Sequence, residues 1–277
     1  MLRLLAATVV LAPVLAFAAC GAGDVNPPPL LTADGGGGGD DGGTVDAPPG
    51  AIVQTGTIID LSTNALVAGA TVTSGTHSAT TDAKGTYTIS LDPGTPAFSM
   101  KVEKAAYYTL QEQEMKPSAS FNLGKTKLPS ENTVNLLVTT FQGYDPTGGI
   151  VSIALENQGC LDEGGATFDF TIDGKPGYGA DGGPNSTARL VYFSNGFPSA
   201  SLTAAESGSF PHAAIYNLPV GKPVVVTVKH PKCKMKPFPV DKDLTLESGT
   251  GTATYVSATL SPFGGKSTGF VRLFLSL

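Results

Sequence analysis

The chain has 277 residues, enough for one large or two ordinary domains. Its formal net charge is −6 with only 14% charged residues, and no basic run occurs, which sets nucleic acid aside as a partner. Low charge with abundant Gly, Thr, Val and Ser suits short strands and turns rather than solvated helices, and the absence of Trp counts against a carbohydrate module built on flat aromatic platforms.

Arg3 is the only charge before Asp24, and residues 4–17 are apolar or small, broken by Pro13. A short positive head, an apolar middle and a small-residue exit form a secretory signal. The apolar run is about 14 residues, short of the ~20 a membrane-spanning helix needs. It closes on Leu15-Ala16-Phe17-Ala18-Ala19-Cys20, which resembles the bacterial lipoprotein lipobox, with Phe17 where that family prefers Leu, Val or Ile. The resemblance implies removal of residues 1–19, a diacylglycerol thioether on Cys20 and acylation (palmitate) of the new amine. It also implies a lipid-anchored place in the cell envelope, and Gly21 resembles the outer-membrane sorting pattern of some bacteria. Two or three acyl chains at ~0.8 kcal/mol per buried methylene anchor stably, where one chain is marginal. Ordinary secretion by cleavage nearby, with Cys20 incidental, is the alternative. Loss of Arg3 takes the net charge from −6 to −7.

Residues 20–50 show no hydrophobic periodicity. Pro27-Pro28-Pro29, the glycines from Gly35 to Gly39, Asp40-Asp41 and Pro48-Pro49-Gly50 predict a disordered linker, which at about 30 residues spans roughly 30 Å. The spacing of a calcium-binding loop is absent.

From residue 51 to 129, short β-branched and alternating runs stand between turn signals. Residues 52–59 and 70–74 are strand-like. Thr86 to Leu91 puts Tyr87, Ile89 and Leu91 on one face, and Phe98 to Val102 alternates again. Many short strands with such turns predict a sandwich. Gly56, then Gly69-Ala70-Thr71-Val72, then Thr81-Asp82-Ala83-Lys84-Gly85-Thr86-Tyr87, then Pro93-Gly94 and Tyr107 stand in the order of the carboxypeptidase regulatory-like domain. The stretch resembles that family over about 75 residues. The resemblance implies a transthyretin-like β-sandwich acting as an accessory module, with no catalytic residue to carry over.

The second domain is expected over 130–277. Val134, Leu137, Val138 and Phe141 fall at helical spacing behind a capping Ser130, while Val134, Leu136 and Val138 also fit a strand; a short helix joining the domains is the preferred reading. The first plan then recurs more loosely. Gly165-Ala166-Thr167-Phe168 echoes Gly69 to Val72, and Ile215 to Gly221 followed by Val224 to Lys229 echoes Tyr87 to Val102. The final run from Phe270 is expected as a strand docked on this sandwich. The fold class expected is therefore all-β: two tandem transthyretin-like or Ig-like β-sandwich domains after a signal peptide and a disordered Gly/Asp/Pro linker.

With Cys20 lipidated, Cys160 and Cys233 remain. An exported chain meets an oxidising compartment, where two such cysteines pair; two buried free thiols are the alternative. The decoration Asp173–Phe210 carries Tyr178, Tyr192, Phe193 and Phe197, a candidate recognition surface, although a decorated loop plus one more hairpin is the preferred reading. His77, His212 and His230 are the only histidines; the last two are placed to approach across neighbouring strands, and a chance pair outweighs a zinc site. No nucleophile elbow or metalloprotease motif occurs, and no catalytic, cofactor-binding or metal residue is assigned. The expected function is a non-enzymatic, lipid-anchored envelope protein serving protein interaction, adhesion or assembly. Its partners are the membrane through the N-terminal lipid and an envelope protein or glycan. The alternatives are a polysaccharide- or peptidoglycan-binding module, and a hydrolase accessory or enzyme with an unrecognised site.

Overall fold

The computed structural model describes residues 50–157, 160, 162–177, 187–236, 246–249, 252–256 and 266–276. The leader, Cys20, the Gly-rich stretch and Tyr178 lie outside the described residues. Seven strands come first: β1 (Ile52–Asp60), β2 (Thr71–Ser74), β3 (His77–Thr80), β4 (Thr86–Leu91), β5 (Phe98–Glu103), β6 (Thr109–Met115) and β7 (Phe121–Leu128). Helix α1 (Glu131–Val138) follows. Its cap is Ser130, whose side chain accepts from Thr133 N, as the spacing predicted. Then come β8 (Gly149–Asn157), β9 (Thr167–Ile172), β10 (Lys175–Pro176), β11 (Arg189–Ser194) and β12 (Phe197–Ser199). The rest are β13 (Ala213–Leu218), β14 (Val224–His230), β15 (Lys234–Lys236), β16 (Leu246–Gly249), β17 (Thr252–Val256) and β18 (Ser267–Ser276).

The strands form β-sandwiches. A three-stranded sheet, β4-β1-β7, and a five-stranded sheet, β10-β9-β14-β17-β16, pack on one large sheet in the order β12-β11-β13-β8-β18-β6-β5-β2-β3. That large sheet crosses residue 130. β18 pairs in parallel with β6 through Ser267↔Thr109 to Phe270↔Glu112, and in parallel with β8 through Gly269↔Val151 to Leu275↔Asn157. On β8, Val151, Ile153 and Leu155 enter the core facing the five-stranded sheet, while Ala154 enters the core facing the three-stranded sheet. On β18, Val271 and Leu273 join the first of these cores and Phe270 the second. Both strands are therefore covered on both faces, and Ser267 to Leu273 is buried throughout. This explains the apolar character of the run from Phe270 to Leu273, interrupted only by the buried Arg272, which is the signature of a strand with no solvated side. The expected docked strand is thus an interior one that two cores share.

The turn over Thr81–Tyr87 gives each motif residue a folding role. Thr81 Oγ1 donates to Val67 O at 2.7 Å and accepts from Ala70 N at 2.8 Å. Asp82 Oδ1 accepts from Lys84 N and Thr86 N at 2.8 and 2.9 Å. Gly56 lies opposite Tyr87 in the β1–β4 register, and a methyl group there would meet the phenol oxygen at 2.7 Å. The glycine exists to let that ring lie flat on β1. In the decorated stretch, Asn195 and Gly196 hold φ of 49° and 79°, the pair of left-handed residues that joins β11 to β12 as a two-residue hairpin.

Candidate functional site

The aromatic residues expected to form a surface separate. Tyr192 and Phe193 are neighbours on β11, so they point to opposite faces of the sheet. Tyr192 is 7% exposed and stacks on Phe168, with ring centroids 5.8 Å apart. Phe193 is 1% exposed and meets Phe141 edge-on beneath α1. Of the three that are described, Phe197 alone is exposed, at 42%. Phe193 is a core residue, which corrects its assignment to a recognition surface; Tyr192 is buried too and reaches only the back of a cleft beside β9, so the expected exposed aromatic surface does not form.

Cys160 and Cys233 form a disulfide 73 residues apart in sequence, with Cα atoms 5.8 Å apart. His230 lies beside it, and the three side chains place donor atoms within 4.8 Å of one another. The chemistry of those donors does not fit a metal. The sulfurs are bonded to each other and offer no thiolate. His230 Nδ1 accepts from Cys233 N at 2.8 Å and Lys232 N at 3.1 Å, which fixes the ring hydrogen on Nε2. Burial holds the His230 pKa below its ordinary value, against the pull of the Asp162 carbonyl and carboxylate. His212 behaves alike: Nδ1 accepts from Leu155 N at 3.0 Å, and burial, helped by Lys127, pushes it down to about 4. Each histidine serves the backbone of its own neighbourhood; no contact brings His212 and His230 together among the described residues. His77 lies on β3 near Asp92, its Nε2 3.4 Å from Oδ2.

Two hollows mark the described surface. One is an apolar slot between α1 and the large sheet, lined by Val134, Phe141, Phe193 and Phe270 with Lys127 at its side; it holds about 50 Å³. That is room for a water or two, far below the roughly 300 Å³ at which ligand sites begin. The other is an open cleft of about 510 Å³ between β9, β11, β14 and the segment after β12, which is of ligand size. Phe168 and Tyr192 form its back, Leu190 and Leu202 its apolar sides, and Thr167, Asp169, Thr203 and Lys229 its polar rim. Of its members the sequence reading singled out only Tyr192, because they come from four separate segments and the rim residues are unremarkable one by one.

The cleft is braced from behind. Ala205 N donates to Ala166 O at 2.8 Å and Gly165 N to Ala205 O at 2.9 Å, which ties the segment after β12 to the entry of β9. Ser207 bonds the Asp162 carboxylate, which also accepts from Gly164 N at 2.7 Å. The Ser207 hydroxyl foremost, then the Gly164 amide, hold Asp162 below the usual carboxylate range. The disulfide fixes the same corner to the end of β14, four residues beyond the rim residue Lys229. At the open edge Tyr192 Oη accepts from Phe168 N at 3.1 Å, and Asp169 Oδ1 accepts from Phe170 N at 3.1 Å. Side-chain oxygens thus take the N–H groups of Phe168 and Phe170 on the edge of β9 away from β14.

No protein-family model matches the chain, and no curated protein does. Among solved structures, the chain is similar to a protein from Bacteroides fragilis described as membrane-associated and of unknown function (12% identity, 76% of this chain and 95% of that one, TM-score 0.25). It is similar also to the minor pilin of Streptococcus agalactiae (9% identity, 82% and 97%, TM-score 0.21) and to the major pilin of Streptococcus pyogenes (12%, 82% and 98%, TM-score 0.21). Likeness at this level places no constraint on function. Among the described residues no helix is long and apolar enough to cross a membrane.

Proposed function

We propose that the chain is exported, anchored at the cell envelope through lipid on Cys20, and works there as a non-catalytic interaction module. The anchor reading is supported by Arg3, the apolar run and Ala18-Ala19-Cys20, which follow the lipoprotein pattern and its outer-membrane variant with Gly21. The Cys160–Cys233 bridge agrees with it, since such bonds persist in oxidising compartments. The first sandwich reads as a carboxypeptidase regulatory-like module on the strength of its Thr81–Tyr87 turn and the Gly56–Tyr87 contact.

The observation that carries the interaction reading is the braced cleft: a preformed hollow of ligand size whose walls are tied by a disulfide and by backbone bonds. Rigid preformed walls lower the ordering cost of binding. A photo-cross-linking side chain at Thr203, on the rim, forms adducts in intact cells; the same group at Thr88, on the exposed side of β4, forms none. Equal labelling from both positions would remove the cleft as the working face.

A further inference from the structure

We propose that the cleft takes an extended peptide, gripping the N–H and C=O of one residue at the edge of β9 and one short apolar side chain between Leu190 and Leu202. This rests on the interaction reading and names its ligand. Phe168 turns away from β14, because its N–H goes to Tyr192 Oη rather than across the ladder. In an antiparallel strand the C=O of such a residue points to the same side. The Phe168 carbonyl therefore faces the open edge, and no described residue donates to it. Tyr192 uses its hydroxyl oxygen to accept from Phe168 N, so its own hydrogen remains to donate, and no described residue accepts it.

An acceptor and a donor thus stand side by side at one point of the edge. One residue of an extended peptide satisfies both at once, its N–H on Phe168 O and its C=O on the Tyr192 hydroxyl, because both groups of an extended residue point to the same side. The half-buried Leu190 and Leu202 flank that point and suit an aliphatic group. Asp169 and Lys229, one of each sign, sit on the exposed rim and suit a basic and an acidic neighbour on either side. A sugar ring fits less well. Phe168 and Tyr192 are 5% and 7% exposed and stack on each other, so neither offers a free aromatic face.

The test uses the oxidised full chain in detergent and three probes: acetyl-leucine N-methylamide, acetyl-Lys-Leu-Glu-amide, and oligomers of N-acetylglucosamine. Backbone amide resonances of Phe168 and Lys229 are expected to shift saturably with both peptides, the charged one binding more tightly. Leu202→Glu weakens both by about tenfold or more through lost apolar contact. Lys229→Glu, an exposed change, weakens only the charged peptide, and Leu66→Glu on the first sandwich changes neither. Shifts from the sugar oligomers alone would overturn the peptide assignment. Silence from every probe, with cross-links at Thr203 still forming in cells, would overturn this inference and leave the interaction reading standing; silence together with loss of those cross-links would strike that reading itself.

Discussion

His212 is buried at the start of β13 with its Nδ1 on Leu155 N, so it must stay neutral for the contact to survive. Its folded value of about 4 lies below the ordinary 6.5. The unfolded chain therefore takes up the proton first as pH falls. Stability from this group is complete above pH 6.5 and is lost progressively as pH drops toward 4, about 3 kcal/mol in all at 1.4 kcal/mol per unit. Denaturant titrations at pH 7, 5.5 and 4 are expected to show that slope in the parent chain. In His212→Gln the slope shrinks whatever the absolute stability, and an unchanged slope would count against the assignment. Residue-level roles were partly legible from sequence. The Thr81–Tyr87 turn was readable because its bonds close within a few residues. The failure at Tyr192 and Phe193 was avoidable: adjacent residues of one strand cannot share a face.

At the scale of elements, β18 is tied into the first sandwich by a buried ion pair. Arg272 Nη2 lies 2.7 Å from Glu112 Oε1 on β6, Nη1 donates to Leu123 O at 2.9 Å on β7, and Arg272 N donates to Gln113 Oε1 at 3.0 Å. Both side chains are almost wholly buried, and burial pushes the Glu112 carboxyl above its usual range against the pull of Arg272. Removing one partner leaves the other charge stranded. Glu112→Ala is expected to cost about 3–5 kcal/mol in denaturant unfolding, whereas Glu112→Leu with Arg272→Met costs far less, because an apolar pair carries no desolvation penalty. Near-equal losses would mean the pair stabilises on balance. The place of β18 was not legible in sequence. Its apolar run marks a buried strand, but a parallel pairing with β6, 158 residues upstream (267 − 109), leaves no local trace.

For the whole molecule we propose an export address followed by a disulfide-bridged β fold. Intact mass of protein extracted from membranes is expected to lack residues 1–19, to carry diacylglycerol and an acyl chain on Cys20, and to gain two hydrogens on reduction as the Cys160–Cys233 bond opens. Retention of Met1, or an unmodified soluble species, would refute the anchor. Opening the bridge removes a constraint across 73 residues, worth about 4 kcal/mol in the chain-entropy model. It also frees the corner that supports the cleft, so reduction weakens binding along with stability. The all-β class was legible from turns and alternation. The cleft was not, since it exists only where four distant segments meet.

The strand from Ser267 to Ser276 has a consequence for anyone cutting or transplanting parts of this protein. Residues 51–129 are not portable: lifted out alone, they leave Glu112 without its cation and the β6 rim bare. A graft that keeps the first module whole has to bring the distant decapeptide with it.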